Sequence, residues 1–148
     1  MKILFDTSVL VAAIVADHPS YPEALPWLQR VQAEAIEGFV STHTLAELYA
    51  ILTRLPRSPR INPALAQRLL EENLNKFYKV VLTPEDYQAT IARMVSLNLP
   101  GGGIYDALIA QSAIKANVDI LLTLNANDFT RLGEDVAQLV QLPMKLQP

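Results

Sequence analysis

The sequence predicts an α/β fold: a sandwich in which a mostly parallel sheet of four to five strands is covered by helices on both faces. Two observations support this prediction. Segments that suit strands alternate with helical segments, and the strand segments are solid apolar runs, which are typical of parallel sheets buried on both sides. The chain has 148 residues, of which 51% are hydrophobic and 18% are charged. We therefore expect residues 1–148 to form a single domain with a substantial core.

Short apolar runs bounded by turn-forming residues mark the expected strands. The first run, "KILFD", ends in a carboxylate, and "QLVQL" is a candidate for a last strand. The five expected strands are residues 2–6, 39–42, 78–83, 118–124 and 138–142.

Capping residues and apolar periodicity mark the expected helices. Ser8, Asn62 and Thr83 are suitable caps, and a proline follows each of the last two. In the helix after "TPED", we expect an inner face of Tyr87, Ile91, Met94 and Val95. The expected helices run from Ser8 to about Ala16, over 27–36, over 44–55, from Pro63 onward, from Pro84 onward and over 104–117, with a turn or short helix at 125–129.

Several classes of protein are disfavoured by composition. The chain has no cysteine, so disulfides and thiolate metal sites are excluded, in keeping with a reducing cytoplasm. The longest apolar run, Val9–Ala16, is too short to span a bilayer. The amino terminus has the outline of a secretory signal, but Asp6 interrupts it and no clean cleavage site follows. We therefore expect a mature cytoplasmic chain that is not associated with a membrane.

Four acidic residues lie at or just after the ends of expected strands, or at the start of a helix. Asp6 ends the first strand, Glu47 follows the second, Asp106 lies just after three glycines, and Asp128 follows the fourth strand. The carboxyl ends of parallel strands meet at one edge of a sheet, which is where α/β proteins form their sites. We therefore expect these four side chains to share a site.

Each acid also has a purely structural explanation. Thr44 and Glu47 fit a capping box, and Asp106 suits the positive end of a helix dipole. Asn125 could cap a helix in which Asp128 lies three residues on, and Asp6 could itself be a cap. For any one acid alone, the structural explanation is the stronger; the four together favour a site.

Carboxylates crowded into one site repel each other and resist ionisation unless a cation lies among them. Mg²⁺ and Mn²⁺ prefer such hard oxygen ligands. The two histidines, His18 and His43, lack zinc-ligand spacing, and we expect them to be surface residues or to have structural partners. An acidic Mg²⁺ or Mn²⁺ site suits phosphodiester hydrolysis. The net charge of −3 is weak evidence against a nucleic-acid partner, since local patches and bound cations can outweigh it.

Four motifs occur in a familiar order and spacing: "ILFDTSVLV", "LAEL", "YDALIAQSA" and "LLTLNANDF". Over nearly the whole chain, this set resembles the PIN-domain nucleases, and more narrowly the VapC-type toxins of type II toxin–antitoxin pairs. The resemblance implies a PIN-like fold and Mg²⁺- or Mn²⁺-dependent cleavage of RNA. It also implies homodimers and neutralisation by a small antitoxin protein whose tail enters the acidic groove.

The resemblance assigns residues as well. It makes Asp6, Glu47, Asp106 and Asp128 the catalytic and metal-binding residues. Thr7 and Ser8 match the hydroxyl residues that follow the first Asp, and Thr123, Asn125, Asp128 and Phe129 match a T-x-N-x-x-D-F element. Supporting roles behind the carboxylates therefore fall to three residues: Thr7, Thr123 and Asn125.

Two other functions stay open. One is a PIN-like module that binds protein or RNA with little catalysis. The other, a phosphoryl-transfer enzyme or signalling receiver, is disfavoured, because Ser8 stands where phosphatases need a second Asp and "LLTLNANDF" lacks the Lys of receivers. A path for RNA is uncertain: Arg54, Arg57 and Arg60 could bind phosphate, or could be solvated loop charges.

Overall fold

The computed structural model describes residues 1–144 and contains one five-stranded sheet in which every pairing is parallel. The strand order is β3-β2-β1-β4-β5. This confirms the predicted fold class. The sheet has five strands, where four to five were predicted. The strands are β1 (Lys2–Phe5), β2 (Glu37–Ser41), β3 (Tyr78–Val80), β4 (Ile120–Leu122) and β5 (Val140–Gln141).

Eight helices connect and cover these strands within residues 1–144. No helix in that range has the length and apolar character that a bilayer crossing requires. The helices are α1 (Thr7–Ile14), α2 (Tyr21–Gln32), α3 (Thr42–Arg54), α4 (Pro63–Leu74), α5 (Pro84–Ser96), α6 (Gly103–Lys115), α7 (Ala126–Thr130) and α8 (Glu134–Ala137).

The core lies in two layers, one on each face of the sheet. Successive side chains of a strand point to opposite faces, so Ile3 and Phe5 join one layer and Leu4 joins the other. The first layer packs against α1 to α4, and the second against α6 to α8 with Met94 from α5. Ile3, Leu4 and Phe5 are completely buried, which explains why the strand after Lys2 is a solid apolar run.

The strand order reverses between β1 and β4. From β1 the chain builds outward through β2 to β3 on one side, and it returns to place β4 and β5 on the other. Leu4 of β1 is paired with Leu121 of β4, and Phe5 with Leu122, so these two strands end side by side. A crevice beyond the carboxyl ends of two such strands is where open α/β sheets bind ligands.

Helix α2 differs from its prediction over 27–36, because it begins at Tyr21 and ends at Gln32. Pro22 is at the second position of α2, where the missing N–H has no partner to lose, so the proline-rich stretch belongs to the helix. Glu34 has a φ of 58°, and this left-handed residue turns the chain toward β2. Helix α8, which no capping signal marked, was not predicted.

The predicted inner face of α5 is wrong for three of its four residues. Tyr87, Ile91 and Val95 are exposed, and Met94 is the buried member. The buried face of α5 consists of Thr90 and Met94 instead. Two ion pairs accompany this orientation and tie α5 to α8 and α6: Arg93 Nη2 lies 2.6 Å from Asp135 Oδ2, and Lys115 Nζ lies 2.6 Å from Asp86 Oδ2.

Gly38 in β2 provides a test of the first core layer. A Cβ added there would lie 2.7 Å from Val31 Cγ1 and 2.8 Å from Phe77 Cε1. Both neighbours are buried and have little room to move. We expect Gly38→Ala to lower the free energy of unfolding by about 1–3 kcal/mol, as measured by urea denaturation.

The matched control is Gly102→Ala, where an added Cβ meets no atom within 4 Å and φ is −67°. We expect this change to be neutral or to stabilise by up to about 1 kcal/mol, because alanine restricts the unfolded chain. Equal effects of the two substitutions would contradict the packing described for Gly38.

Candidate functional site

Asp6 immediately follows β1 and is almost completely buried, with 4% of its surface exposed. Its backbone N–H donates to the Leu122 carbonyl of β4 at 2.9 Å. Ser8 Oγ and Thr123 Oγ1 both donate to its Oδ2, at 2.7 and 2.8 Å. Asp6 occupies the N-cap position of α1, but its carboxylate makes no capping hydrogen bond, so the capping explanation for this acid is wrong.

Both hydroxyls bind the same oxygen of Asp6, so within residues 1–144 no other side chain donates to Oδ1. Among the side-chain nitrogen and oxygen atoms described, the one fully buried without a partner is Trp27 Nε1. Asp6 Oδ1 therefore keeps access to solvent although the residue is buried. One oxygen is anchored and the other is available to a ligand.

Ser8 and Thr123 extend this anchor to β4. Ser8 Oγ accepts from the Leu124 N–H at 3.1 Å, and Thr123 Oγ1 accepts from the Asn125 N–H at 2.9 Å. Ser8 was predicted to cap α1, but it lies inside the helix, so that prediction is wrong. Asn125 contributes its backbone, whereas its side chain is exposed and forms no hydrogen bond with the rest of the described chain.

Thr7 supports the site indirectly. Its hydroxyl donates to Thr44 Oγ1 at 3.1 Å, and both residues are buried. This contact joins the start of α1 to the first turn of α3, three residues before Glu47. The cap of α3 is Ser41, whose Oγ accepts from the His43 N–H at 3.2 Å. The capping-box explanation for Thr44 and Glu47 is therefore wrong, and Glu47 lies in the second turn.

Asp106 is in the first turn of α6, as its sequence position suggested. Burial, reinforced by the negative charges of Asp6, Asp128 and Glu47, raises the pKa of Asp106 to about 6, and the positive charge of Arg131 opposes this shift. Burial also raises the pKa of Asp6. Asp106 is therefore close enough to all three other acids to be affected by their charges, which places the four at one edge of the sheet.

Asp128 is the most exposed of the acids. It is the third residue of α7, whose N-cap position is occupied by Asn125, although the Asn125 side chain makes no capping bond. Its neighbour Phe129 is completely buried, and this anchors the short helix in the second core layer. Asp128 thus sits at the rim of the site.

Within residues 1–144, no three Asp, Glu or His side chains are close enough together to hold a metal ion as they stand. The donor set nevertheless fits a hard divalent cation: carboxylate oxygens, one of them kept available on Asp6, with hydroxyls behind them.

Three residues at this edge were not predicted to belong to the site. His43 Nε2 lies 3.2 Å from Glu47 Oε2, and its ring stacks on that of Tyr105. The guanidinium of Arg131 lies over the start of α6, where a Cβ added to Gly103 would be 2.7 Å from Nη2. The signal in the sequence is spacing: His43 precedes Glu47 by one helical turn, and Tyr105 adjoins Asp106.

The three predicted arginine candidates are placed unequally. Arg54 is the last residue of α3 and lines a shallow pocket together with Glu47. Seven residues separate the two, so they share a helix face about 10 Å apart. Arg57 and Arg60 are exposed in the loop before α4.

Comparison with known proteins gives consistent results. The PIN domain model matches residues 3–135. The chain is 34% identical over 116 residues to ribonuclease VapC27 of Mycobacterium tuberculosis, which covers 78% of this chain and 79% of that protein.

Among solved structures, VapBC2 from Rickettsia felis, bound to a DNA fragment from its promoter, superposes with a TM-score of 0.67 at 23% identity, covering 96% of this chain and 98% of that one. VapC20 of M. tuberculosis, a toxin that cleaves the sarcin–ricin loop, superposes with a TM-score of 0.62 at 17% identity, covering 80% and 86%. The strand order, the acids beyond the strand ends and these matches agree: the chain belongs to the PIN-domain family and is related to the VapC ribonucleases.

Proposed function

We propose that this protein is a divalent-metal-dependent endoribonuclease and the toxin of a toxin–antitoxin pair. One observation carries the proposal: Asp106 lies within the electrostatic influence of Asp6, Glu47 and Asp128 together. Helix capping does not explain why four acids from separate parts of the chain lie at one edge of the sheet, since neither Asp6 nor Glu47 makes a capping hydrogen bond. Its relative VapC27 is a ribonuclease, which supports this proposal.

Asp6, Glu47, Asp106 and Asp128 would hold Mg²⁺ or Mn²⁺. Such a cation, when bound, lowers the pKa of water and neutralises charge that develops on a phosphodiester. The chain's own contribution is to orient the ligands. Ser8 and Thr123 fix one oxygen of Asp6 and leave Oδ1 available, and His43 restrains Glu47 from one turn earlier in α3.

The RNA backbone needs positive charge on either side of the acids. Arg131 lies at the start of α6 near Asp106, and Arg54 lies at the end of α3 beyond Glu47. Within residues 1–144, neither forms an ion pair shorter than 4.0 Å, so both guanidinium groups are available to phosphate. We propose that the RNA backbone passes from one arginine to the other across the acids.

The proposed partners follow from the relatives. The VapC20 toxin cleaves the sarcin–ricin loop, which supports an RNA substrate for this chain. The VapBC2 structure supports a small cognate antitoxin as its protein partner. We also propose that the protein forms homodimers, for which mass determination in solution is the direct test.

The central prediction concerns Asp6 and Asp106. Replacing either with Asn removes a negative charge while keeping the shape of the side chain, so we expect the fold to persist and cleavage of a cellular RNA pool with Mg²⁺ or Mn²⁺ to fall at least 100-fold. Wild-type protein with chelator should be equally inactive. Gel analysis of the RNA together with circular dichroism separates activity from folding.

The matched control is Asp119→Asn. Asp119 lies at the opposite edge of the sheet, just before β4, where it accepts from the Lys2 N–H at 2.8 Å. An amide oxygen can accept the same bond, so full activity is expected. An Asp6→Asn or Asp106→Asn protein as active as Asp119→Asn would refute the nuclease assignment and favour a binding module.

Cation binding should depend on pH. Since the pKa of Asp106 is raised from 3.8 to about 6, the carboxyl is largely protonated below that pH, and a cation must displace the proton. We expect Mn²⁺ affinity to be nearly constant above about pH 7 and to fall as the pH is lowered through 6. Calorimetry at several pH values measures this, and Asp106→Asn should flatten the profile. Affinity that rises on acidification would contradict the proposed ligand.

Thr123→Val tests the anchoring of Asp6. Valine keeps the shape of threonine but loses the hydroxyl that donates to Asp6 Oδ2 and accepts from Asn125. Loss of such support to a ligand typically costs about 10–100-fold in metal affinity or activity. Thr53→Val is the control, because Thr53 bonds to backbone carbonyls of α3. Calorimetry with Mn²⁺ should show weaker binding in Thr123→Val alone.

A further inference from the structure

His43 and Tyr105 form a pair of stacked rings beside the acids. Their centroids are 5.5 Å apart and their planes are within 5° of parallel. His43 comes from the first turn of α3 and Tyr105 from the first turn of α6, so the stack bridges two helices that carry different acids. Tyr105 is nonetheless 54% exposed. The two rings are therefore stacked with an offset, and more than half of the Tyr105 surface is open to solvent.

Two contacts with residues in or next to α3 restrain His43. The His43 backbone N–H donates to Ser41 Oγ at 3.2 Å, and its ring Nε2 lies 3.2 Å from Glu47 Oε2. The helix start is thus fixed through the backbone of His43, the imidazole is restrained through Nε2, and its plane lies nearly parallel to the phenol ring. A flat, exposed and restrained aromatic ring is well suited to stack on another planar group, because little conformational freedom is lost on contact.

The stacked rings lie beside the proposed site of RNA cleavage. Tyr105 directly precedes Asp106, and His43 contacts Glu47, so the rings lie next to two of the four acids. If the scissile phosphate lies at the acids, the nucleotides that adjoin it cross this same edge of the molecule, where Tyr105 is exposed. Proteins that bind single strands combine a path for the backbone with aromatic side chains on which bases stack.

We propose that Tyr105, supported by His43, is a stacking platform for an unpaired nucleobase next to the scissile phosphate. This inference rests on the proposed endoribonuclease function and extends it to the form of substrate: a single-stranded segment or an extruded loop base, since a base within a duplex cannot present its face. Stacking does not depend on charge, which suits a site where four carboxylates repel the RNA backbone.

The test is binding of a short single-stranded RNA containing one 2-aminopurine, with Ca²⁺ in place of Mg²⁺ or Mn²⁺ so that a cation lies among the acids while cleavage is suppressed, and with gel analysis to show that the RNA stays intact. Fluorescence anisotropy gives the affinity, and quenching of 2-aminopurine reports stacking directly. We expect Tyr105→Ala to weaken binding about 5- to 150-fold and to abolish quenching, in line with aromatic–base stacking. Tyr105→Phe, which keeps the ring, should stay within about 2-fold of wild type.

Tyr78→Ala is the matched control. Tyr78 is 57% exposed and stacks on Phe39 with centroids 5.0 Å apart, so it resembles Tyr105 in exposure and setting, but it lies at the start of the edge strand β3. We expect binding and quenching to be unchanged in Tyr78→Ala. Circular dichroism of each variant shows whether the fold is retained.

Three results would overturn the platform: wild-type affinity and quenching in Tyr105→Ala, equal losses in Tyr105→Phe, or equal losses in Tyr78→Ala. If Tyr105→Ala weakens binding of a protein partner and leaves RNA binding intact, the ring belongs to a protein interface and the inference is wrong. Cleavage of RNA by the wild-type protein with Mg²⁺ distinguishes the two proposals. Cleavage without Tyr105-dependent quenching would support the endoribonuclease function and rule out the stacking platform. Quenching without cleavage would support the stacking platform and rule out the endoribonuclease function.

Discussion

Asp6 places a carboxylate inside the molecule at the point where β1 ends, and burying such a group is costly unless hydrogen bonds compensate. Its compensation comes from Ser8 in α1 and from Thr123, which directly follows β4. Those two hydroxyls in turn accept from the backbone of residues 124 and 125. These hydrogen bonds therefore join the end of β1 to the start of α1 and to the segment that leads from β4 into α7.

The general architecture was predictable because it depends on patterns within each segment. Solid apolar strands such as "KILF" indicated burial on both faces, and parallel strands joined by helices then placed Asp6, Glu47, Asp106 and Asp128 at one edge. The cap at Asn62 was predictable for the same reason: its side chain bonds to an N–H three residues on, as Asn62 Oδ1 does with Leu65.

The errors arose where distant contacts override a local pattern. Periodicity placed Tyr87, Ile91 and Val95 of α5 on its inner face, but the helix buries Met94 instead, and its flanks make ion pairs with α6 and α8 that no local pattern predicts. The Thr44–Glu47 spacing suits a capping box, yet Thr44 binds Thr7 across the core and the helix begins earlier. His43 and Tyr105 are 62 residues apart, and no local signal predicts that they stack.

The excess of acidic over basic residues has a specific consequence for RNA binding. A net charge of −3 and four acids at one edge give RNA no general electrostatic attraction to the site. In the proposed mechanism, affinity comes from a few localised contacts: a cation among the carboxylates, Arg131 near Asp106, Arg54 on the helix of Glu47, and a ring that stacks without regard to charge. Such a site would bind duplex backbones poorly and would favour RNA that offers an exposed base at the right distance from a phosphate. Selectivity would follow from the scarcity of contacts, because losing any one of them removes a large share of the binding free energy.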